Sequence, residues 1–255
     1  MCGYSAAGRN GFSAPLHEKD CNCIKVLGHE KRVNRRCLHF YSNRRMLPPE
    51  CACGTGSLPT TRTVEEMNLL DRDGALKLLT EYTRSPSLLN HALAVEAALG
   101  AYARRLGEDE LTWRITGLLH DFDYERWPEP ENHPLKGSEI LRSAGYPEQI
   151  IYAILSHAQY LELERKSPLD RALFAVDELC GLITAVALVR PSRSILDVTV
   201  RSIKKKWKQR SFAEGVNRED IALGASELGV DLDEHVAFVL EALQGSAAQI
   251  GLAAR

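Results

Sequence analysis

Beyond residue 53 the chain contains a single cysteine, Cys180, so its main body is not a disulfide-stapled scaffold. Long apolar runs are missing too. The longest, 182–189 with Thr184 inside it, falls far short of the roughly 20 residues a membrane-spanning helix needs. The N-terminus lacks an apolar signal region, so a cytoplasmic location with no membrane partner is expected. Nor does one sign of charge dominate. A net charge of −2 gives no global attraction for a nucleic-acid polymer or an anionic surface, and neither is expected as a partner. No stretch alternates apolar and polar residues as a half-buried strand would. What is present, 255 residues of which 44% are hydrophobic and 26% charged, suffices for a sizeable core.

The first 66 residues differ from the rest. They hold six of the seven cysteines and carry ten Lys and Arg against six Asp and Glu. Residues 67–255 reverse that balance, with 22 against 28. The leading segment has no sustained period and is punctuated by Gly, Pro, Ser and Asn. Cys21-Asn22-Cys23 and Cys51-Ala52-Cys53, with Cys37 and His39 between them, could clasp a zinc ion. Their C-x-C spacing, outside any strand-turn pattern, instead favours a disordered leader or an upstream extension with incidental cysteines. The expected organisation is therefore a segment 1–66 and a functional domain 67–255.

From residue 67 onward the sequence predicts helices with marked ends. They span 68–84, 85–107, 108–119, 134–144, 147–158, 167–189, 194–209, 218–228 and 231–243. Ser85-Pro86 and Ser167-Pro168-Leu169-Asp170 are cap-and-start signatures, the second a near capping box. The expected fold class is all-α, about nine helices.

Against that frame, four histidines and two aspartates fall in the order His91, His120-Asp121, His133, His157, Asp177. Leu88, His91, Val95, Leu99 and Tyr102 form one apolar stripe, and Ile150, Ile154, His157 and Leu161 form another. Asp177 lies on a face with Leu173, Val176, Cys180 and Thr184, which offers no Lys or Arg. A carboxylate buried there without compensation would cost at least ~3 kcal/mol, so it requires a cation. Taken singly, each residue has an ordinary reading. His91 or His157 could be a hydrogen-bonded core residue, Asp177 could meet a distant Arg, and His133 could open a helix. Taken together with a His-Asp pair at a helix end, they point to a metal site.

The series resembles the HD-domain superfamily of metal-dependent phosphohydrolases, whose minimal signature is His…His-Asp…Asp. His91, His120, Asp121 and Asp177 match that set, and His133 and His157 match the two further histidines of two-metal members. The stretch His133-Pro134-Leu135-Lys136-Gly137, followed by Ile140-Leu141, looks like the segment around the third histidine of such members. The resemblance covers about residues 85–185. One departure is the continuation Phe122-Asp123-Tyr124-Glu125, where many members have Ile-Gly and a lysine. Gly145-Tyr146-Pro147 matches a tripeptide of cyclic-dinucleotide phosphodiesterases, but here it reads as a helix stop followed by a helix start.

The resemblance implies an HD-type helical bundle in which Asp121 bridges two divalent transition-metal ions. His91, His120 and Asp177 would complete one site, and His133 and His157 the other. Fe, Mn, Zn, Co and Ni all suit such ligands. The implied reaction is hydrolysis of a phosphate ester or anhydride in a small nucleotide-like compound, with His120 and Asp121 holding a metal-activated hydroxide. Lys136, Arg193 and Lys204 are the expected phosphate contacts. The last two belong to a basic group, Arg190 to Arg210, that reads equally as a solvated helix face. Trp127 could stack on a base or pack inward. Two other functions share the ligand pattern: a metal-binding regulatory module without turnover, and a di-iron oxygenase. No oligomeric state is read from the sequence.

Overall fold

The computed structural model describes residues 71–253, which form nine α-helices and, among the described residues, no strand. This is the all-α architecture expected. Most helices begin where a short polar side chain accepts free backbone N–H groups. Asp71 accepts from Gly74 N to start α1 (Arg72–Tyr82), and Asp109 accepts from Thr112 N to start α3 (Glu110–Leu119). Between them α2 (Pro86–Leu106) opens on Ser85-Pro86 and stops at Gly107, whose φ of 74° is the left-handed conformation that ends helices. The helices α4 (Leu135–Ser143) and α5 (Glu148–His157) each follow a proline. In α6 (Pro168–Leu188) the capping box is complete, with Ser167 and Asp170 each accepting the other's backbone N–H.

The helix expected over 194–209 is broken in two. Ser194 accepts from Leu196 N and holds a 3₁₀ turn, Ile195–Asp197, and Thr199 then caps a separate α7 (Val200–Trp207). Two competing caps within six residues divide what apolar spacing alone joins. Asn217 and Asp231 cap α8 (Arg218–Leu228) and α9 (Leu232–Gly245). The readings made for residues 1–66, a disordered leader or a zinc clasp, lie outside the described residues.

The long helices α2 and α6 pack on each other, and each carries a close partner, α3 on α2 and α8 on α6. One core gathers Leu99, Leu173, Leu179 and Ile183 with Ile203 of α7, Ile221 of α8 and Leu243 of α9. A second gathers Leu79 of α1, Leu118 of α3, Phe122, Leu141 of α4 and Ile154 of α5. Truncating one such buried Leu or Ile to Ala would cost about 2–5 kcal/mol.

Gly117 sets the approach of α3 to α2. A Cβ there would sit 2.9 Å from the backbone of Val95 and Glu96, so no larger residue lets the two helices come this close. That contact brings the end of α3 beside His91 on α2. No helix among the described residues is long and apolar enough to cross a membrane.

Candidate metal centre

Four helices, α2, α3, α5 and α6, bring the polar side chains together. His91 lies two turns into α2, His120 caps α3, His157 is the last residue of α5, and Asp177 is midway along α6. Asp121 and His133 flank the loop of successive turns that joins α3 to α4.

Each buried ring is aimed by its Nδ1. His120 Nδ1 donates to Gly117 O at 2.8 Å, and His157 Nδ1 donates to Ile154 O. His133 Nδ1 donates to Asp123 Oδ1 at 2.8 Å, while Asp123 Oδ2 accepts from Gly137 N at 2.8 Å. A Cβ on Gly137 would reach within 2.8 Å of the Asp123 carboxylate, so only glycine leaves room for this clamp. With Nδ1 engaged by the protein, Nε2 of all three rings turns inward.

There they face carboxylate oxygens. His133 Nε2 and His157 Nε2 stand 3.2 and 3.3 Å from Asp121 Oδ1, a buried atom that receives no hydrogen bond. His120 Nε2 is 3.4 Å from both Asp121 Oδ2 and Asp177 Oδ1, and His91 Nε2 is 2.9 Å from Asp177 Oδ1. Imidazole nitrogens and carboxylate oxygens converging at these distances form a nest that a cation can occupy. The six residues form two sets that share Asp121, namely His91, His120, Asp121 and Asp177, and Asp121, His133 and His157. Within each set one ligand atom per residue lies within 4.8 Å of the others. Imidazole with carboxylate is a donor set that fits divalent transition metals, and the residues present fit such an ion.

The charge states follow from this crowding. Burial favours protonated Asp121 and Asp177, yet the facing imidazoles overcome it and hold both carboxyls well below their usual range. Burial likewise opposes a charged His133, but Asp121 and Asp123 lift it to about 9. Glu178, next along α6, goes the other way. Burial and the neighbouring Asp177 raise it to about 7. Tyr160, whose hydroxyl donates to His133 O, is raised to about 12 by burial and then by Asp121.

A cavity of about 510 Å³ opens onto the centre. Besides the ligands it is lined by Tyr124, Pro128 and Pro130 of the loop after the His-Asp pair and by Phe174, Glu178 and Asp220. All six expected ligands therefore converge, His120 as the fully buried member. The three expected phosphate contacts do not reach the cavity lining. Lys136 is exposed on α4 and pairs with Glu139, Lys204 is exposed on α7 and pairs with Asp233, and Arg193 sits exposed in the turn after α6. Trp127 packs toward Tyr82, with ring centroids 6.1 Å apart, and does not line the cavity.

Sequence reasoning missed Asp123 as the residue that fixes His133, although its position two residues after Asp121 was a signal. It also missed Glu178 and Asp220. Asp220 carries no local signal, because only the packing of α8 on α6 brings it to the cavity.

Residues 88–182 match the family model described as HD domain. Among curated proteins the chain is similar to ribonuclease Y of Desulfotalea psychrophila, 34% identical over 119 residues, 46% of this chain and 22% of that protein. It is also similar to ribonuclease Y 2 of Levilactobacillus brevis, 33% identical over 115 residues, 45% of this chain and 21% of that one. A third relative is ribonuclease Y of Thermotoga petrophila, 31% identical over 157 residues, 57% of this chain and 29% of that protein. The chain thus spans less than a third of the length of these relatives. No solved structure matches it.

Proposed function

Residues 88–182 being an HD domain, we propose that the protein is a metal-dependent phosphohydrolase that cleaves a phosphate ester or anhydride in a small nucleotide-like compound. The observation that carries this reading is Asp121 Oδ1, buried without a donor and faced by two imidazole nitrogens. Asp121 would bridge two ions, with His91, His120 and Asp177 on one side and His133 and His157 on the other. When bound, divalent ions supply Lewis acidity to phosphoryl oxygens and lower the pKa of a coordinated water toward neutrality.

The chain's own residues do the rest. Asp123 holds the His133 ring so that Nε2 faces Asp121, and the carbonyls of Gly117 and Ile154 do the same for His120 and His157. Phe174, Leu88 and the two loop prolines give the cavity apolar surface against which a small organic group can pack. The reading does not depend on Lys136, Arg193 or Lys204.

The relatives named ribonuclease Y favour a second reading, in which the bond cleaved is a phosphodiester of RNA. A cavity without a lysine or arginine in its lining supports the small compound over the polymer, because strand binding relies on cationic grooves.

The deciding experiment is metal content by elemental analysis, paired with phosphate release from nucleotides, simple monoesters and a short RNA after Mn²⁺ or Fe²⁺ loading. About two metals per chain with release from a small ester or nucleotide is expected. Two metals without any release would transfer the site to the regulatory module or the di-iron oxygenase, and oxygen uptake separates those. A protein that takes up no metal after reconstitution would refute the reading.

A further inference from the structure

The three cations expected at the phosphate stay away from the cavity, and its lining holds neither Lys nor Arg. Outside the metal ligands and the carboxylates, three side chains of the lining can donate a hydrogen bond: Tyr124, Gln159 and Tyr160. Tyr160 gives its proton to His133 O. The Tyr124 hydroxyl can turn to donate or to accept. Gln159 differs from both, because the protein fixes which end of its amide does what. Its Oε1 lies 3.1 Å from Nη1 of Arg165. A guanidinium has donors only, so the amide oxygen must be the atom that meets it. Nε2, with two protons, is left without a partner among the described residues.

Arg165 is built to hold that choice. Its side chain is 7% exposed, stands outside the lining and reaches three helices. Nε and Nη2 take both oxygens of Glu227 on α8, at 2.5 and 2.8 Å. Nη1 divides its protons between Gln159 Oε1 and Ser156 O, the latter in the last turn of α5 at 3.2 Å. The guanidinium also lies over the Phe174 ring of α6, 3.7 Å from its centroid. Gln159 follows the candidate ligand His157 by two residues, so their Cα atoms are at most about 7 Å apart.

We infer that Gln159 is a substrate contact: its Nε2 donates to a phosphoryl oxygen of the bound compound, and Arg165 is the positioning residue that keeps the amide turned for it. A phosphoryl group at a metal centre has more oxygens than the metal takes, and those left over need donors once water is displaced. An amide supplies one without adding a positive charge that would repel the divalent ions. Its closeness in the chain to His157 keeps it beside the metal centre, where the phosphoryl group belongs.

This inference rests on the phosphohydrolase reading for what fills the cavity, and a binding measurement separates the two. Methylphosphonate, which is not hydrolysed, serves as the probe for titration calorimetry on the Mn²⁺-loaded protein. Gln159→Ala should bind it about tenfold or more weakly, with metal content by elemental analysis unchanged. Gln159→Glu, which replaces the donor by a second acceptor that Arg165 can still hold, should bind it more weakly again. Arg165→Met, or Arg165→Lys if the first fails to fold by circular dichroism, should weaken binding by about threefold or more. In the Gln159→Ala background the same change should add nothing, because the contact it positions is already gone. An Arg165 variant that costs the same factor in both backgrounds would overturn the positioning role, since a merely structural effect adds. Unaltered affinity in Gln159→Ala, a fall in its metal content, or no binding by the unaltered protein overturns the contact itself. Binding that depends on Gln159, without phosphate release from any ester, would retire the hydrolase and leave the contact standing. Release from an ester with unaltered affinity in Gln159→Ala would do the opposite.

Discussion

Two buried assemblies in this molecule are made of imidazole and oxygen, and they end in opposite states. At the first, Tyr102 OH donates to His235 Nδ1 at 2.6 Å and His235 Nε2 donates to Ala175 O at 2.8 Å. Every polar atom has a complementary partner, and both residues are fully covered. At the second, His120, His133 and His157 send their Nδ1 protons outward to protein acceptors and turn Nε2 toward carboxylates. The composition is the same, but the direction of the proton is reversed. A saturated pair stabilises the core it sits in. An unsaturated one is a vessel for cations, and its cost is met by whatever binds there. Burial of histidine alone is thus a poor guide to function; what its far nitrogen faces is a good one.

Substitutions can break either side of this contrast. The largest effect is expected from Asp121→Ala, which removes the shared ligand of both sets. Elemental analysis should fall from about two metals per chain to fewer than one, and turnover should drop by at least about 100-fold. Retention of both metals would refute the bridging role. Next comes Glu96→Ala, a change to a second saturated cluster, where Glu96 is buried and receives both Arg72 and Arg114. Loss of that acceptor should cost about 2–3 kcal/mol in denaturant unfolding and leave metal content unchanged. If metal content fell as well, the two kinds of cluster would not be independent.

Asp123→Asn sharpens the contrast from inside the open cluster. It keeps the size of the clamp on His133 but weakens its acceptor. A competition titration should show about 10–100-fold weaker binding of one ion of the two.

The saturated pair has its own pH signature. Burial holds the His235 pKa below its usual 6.5. Above that value the ring is neutral in both folded and unfolded chains and contributes no pH dependence. Below it the unfolded ring gains a proton that the folded ring refuses, so stability is lost as pH falls, by up to about 1.4 kcal/mol per unit. Unfolding of the unaltered protein should therefore be more acid-sensitive than that of His235→Gln, and equal sensitivity would contradict the pairing. Smallest is Tyr102→Phe, which leaves His235 Nδ1 without its donor for about 1 kcal/mol, read from the unfolding midpoint.

Much of this was legible in the sequence because it is local. Caps such as Ser167 with Asp170, and stops such as Gly107, mark helix ends within four residues of themselves. Three of the candidate ligands, His91, His157 and Asp177, were legible for a different reason: each is a polar residue placed where its helix must face the core. What stayed hidden depends on which helices meet. Asp220 joins the cavity only because α8 packs on α6, and Lys204 leaves the scene because Asp233 at the start of α9 is there to receive it. The break before α7 was invisible to apolar spacing, since Thr199 competes for the backbone through its hydroxyl rather than through any core contact.

His120 and His157 share a detail with a wider consequence: each ring is hydrogen-bonded to the carbonyl three residues behind it, Gly117 and Ile154 respectively. Those carbonyls sit in the last turn of α3 and α5, where the helix has no N–H left to offer them. The bearing of each ring is therefore written into its own helix terminus and is complete as soon as that turn forms. Helix length then acts as a dial. One residue added to α3 ahead of Gly117 would swing His120 through about 100° and point its free nitrogen away from its companions, with every side chain of the centre still present.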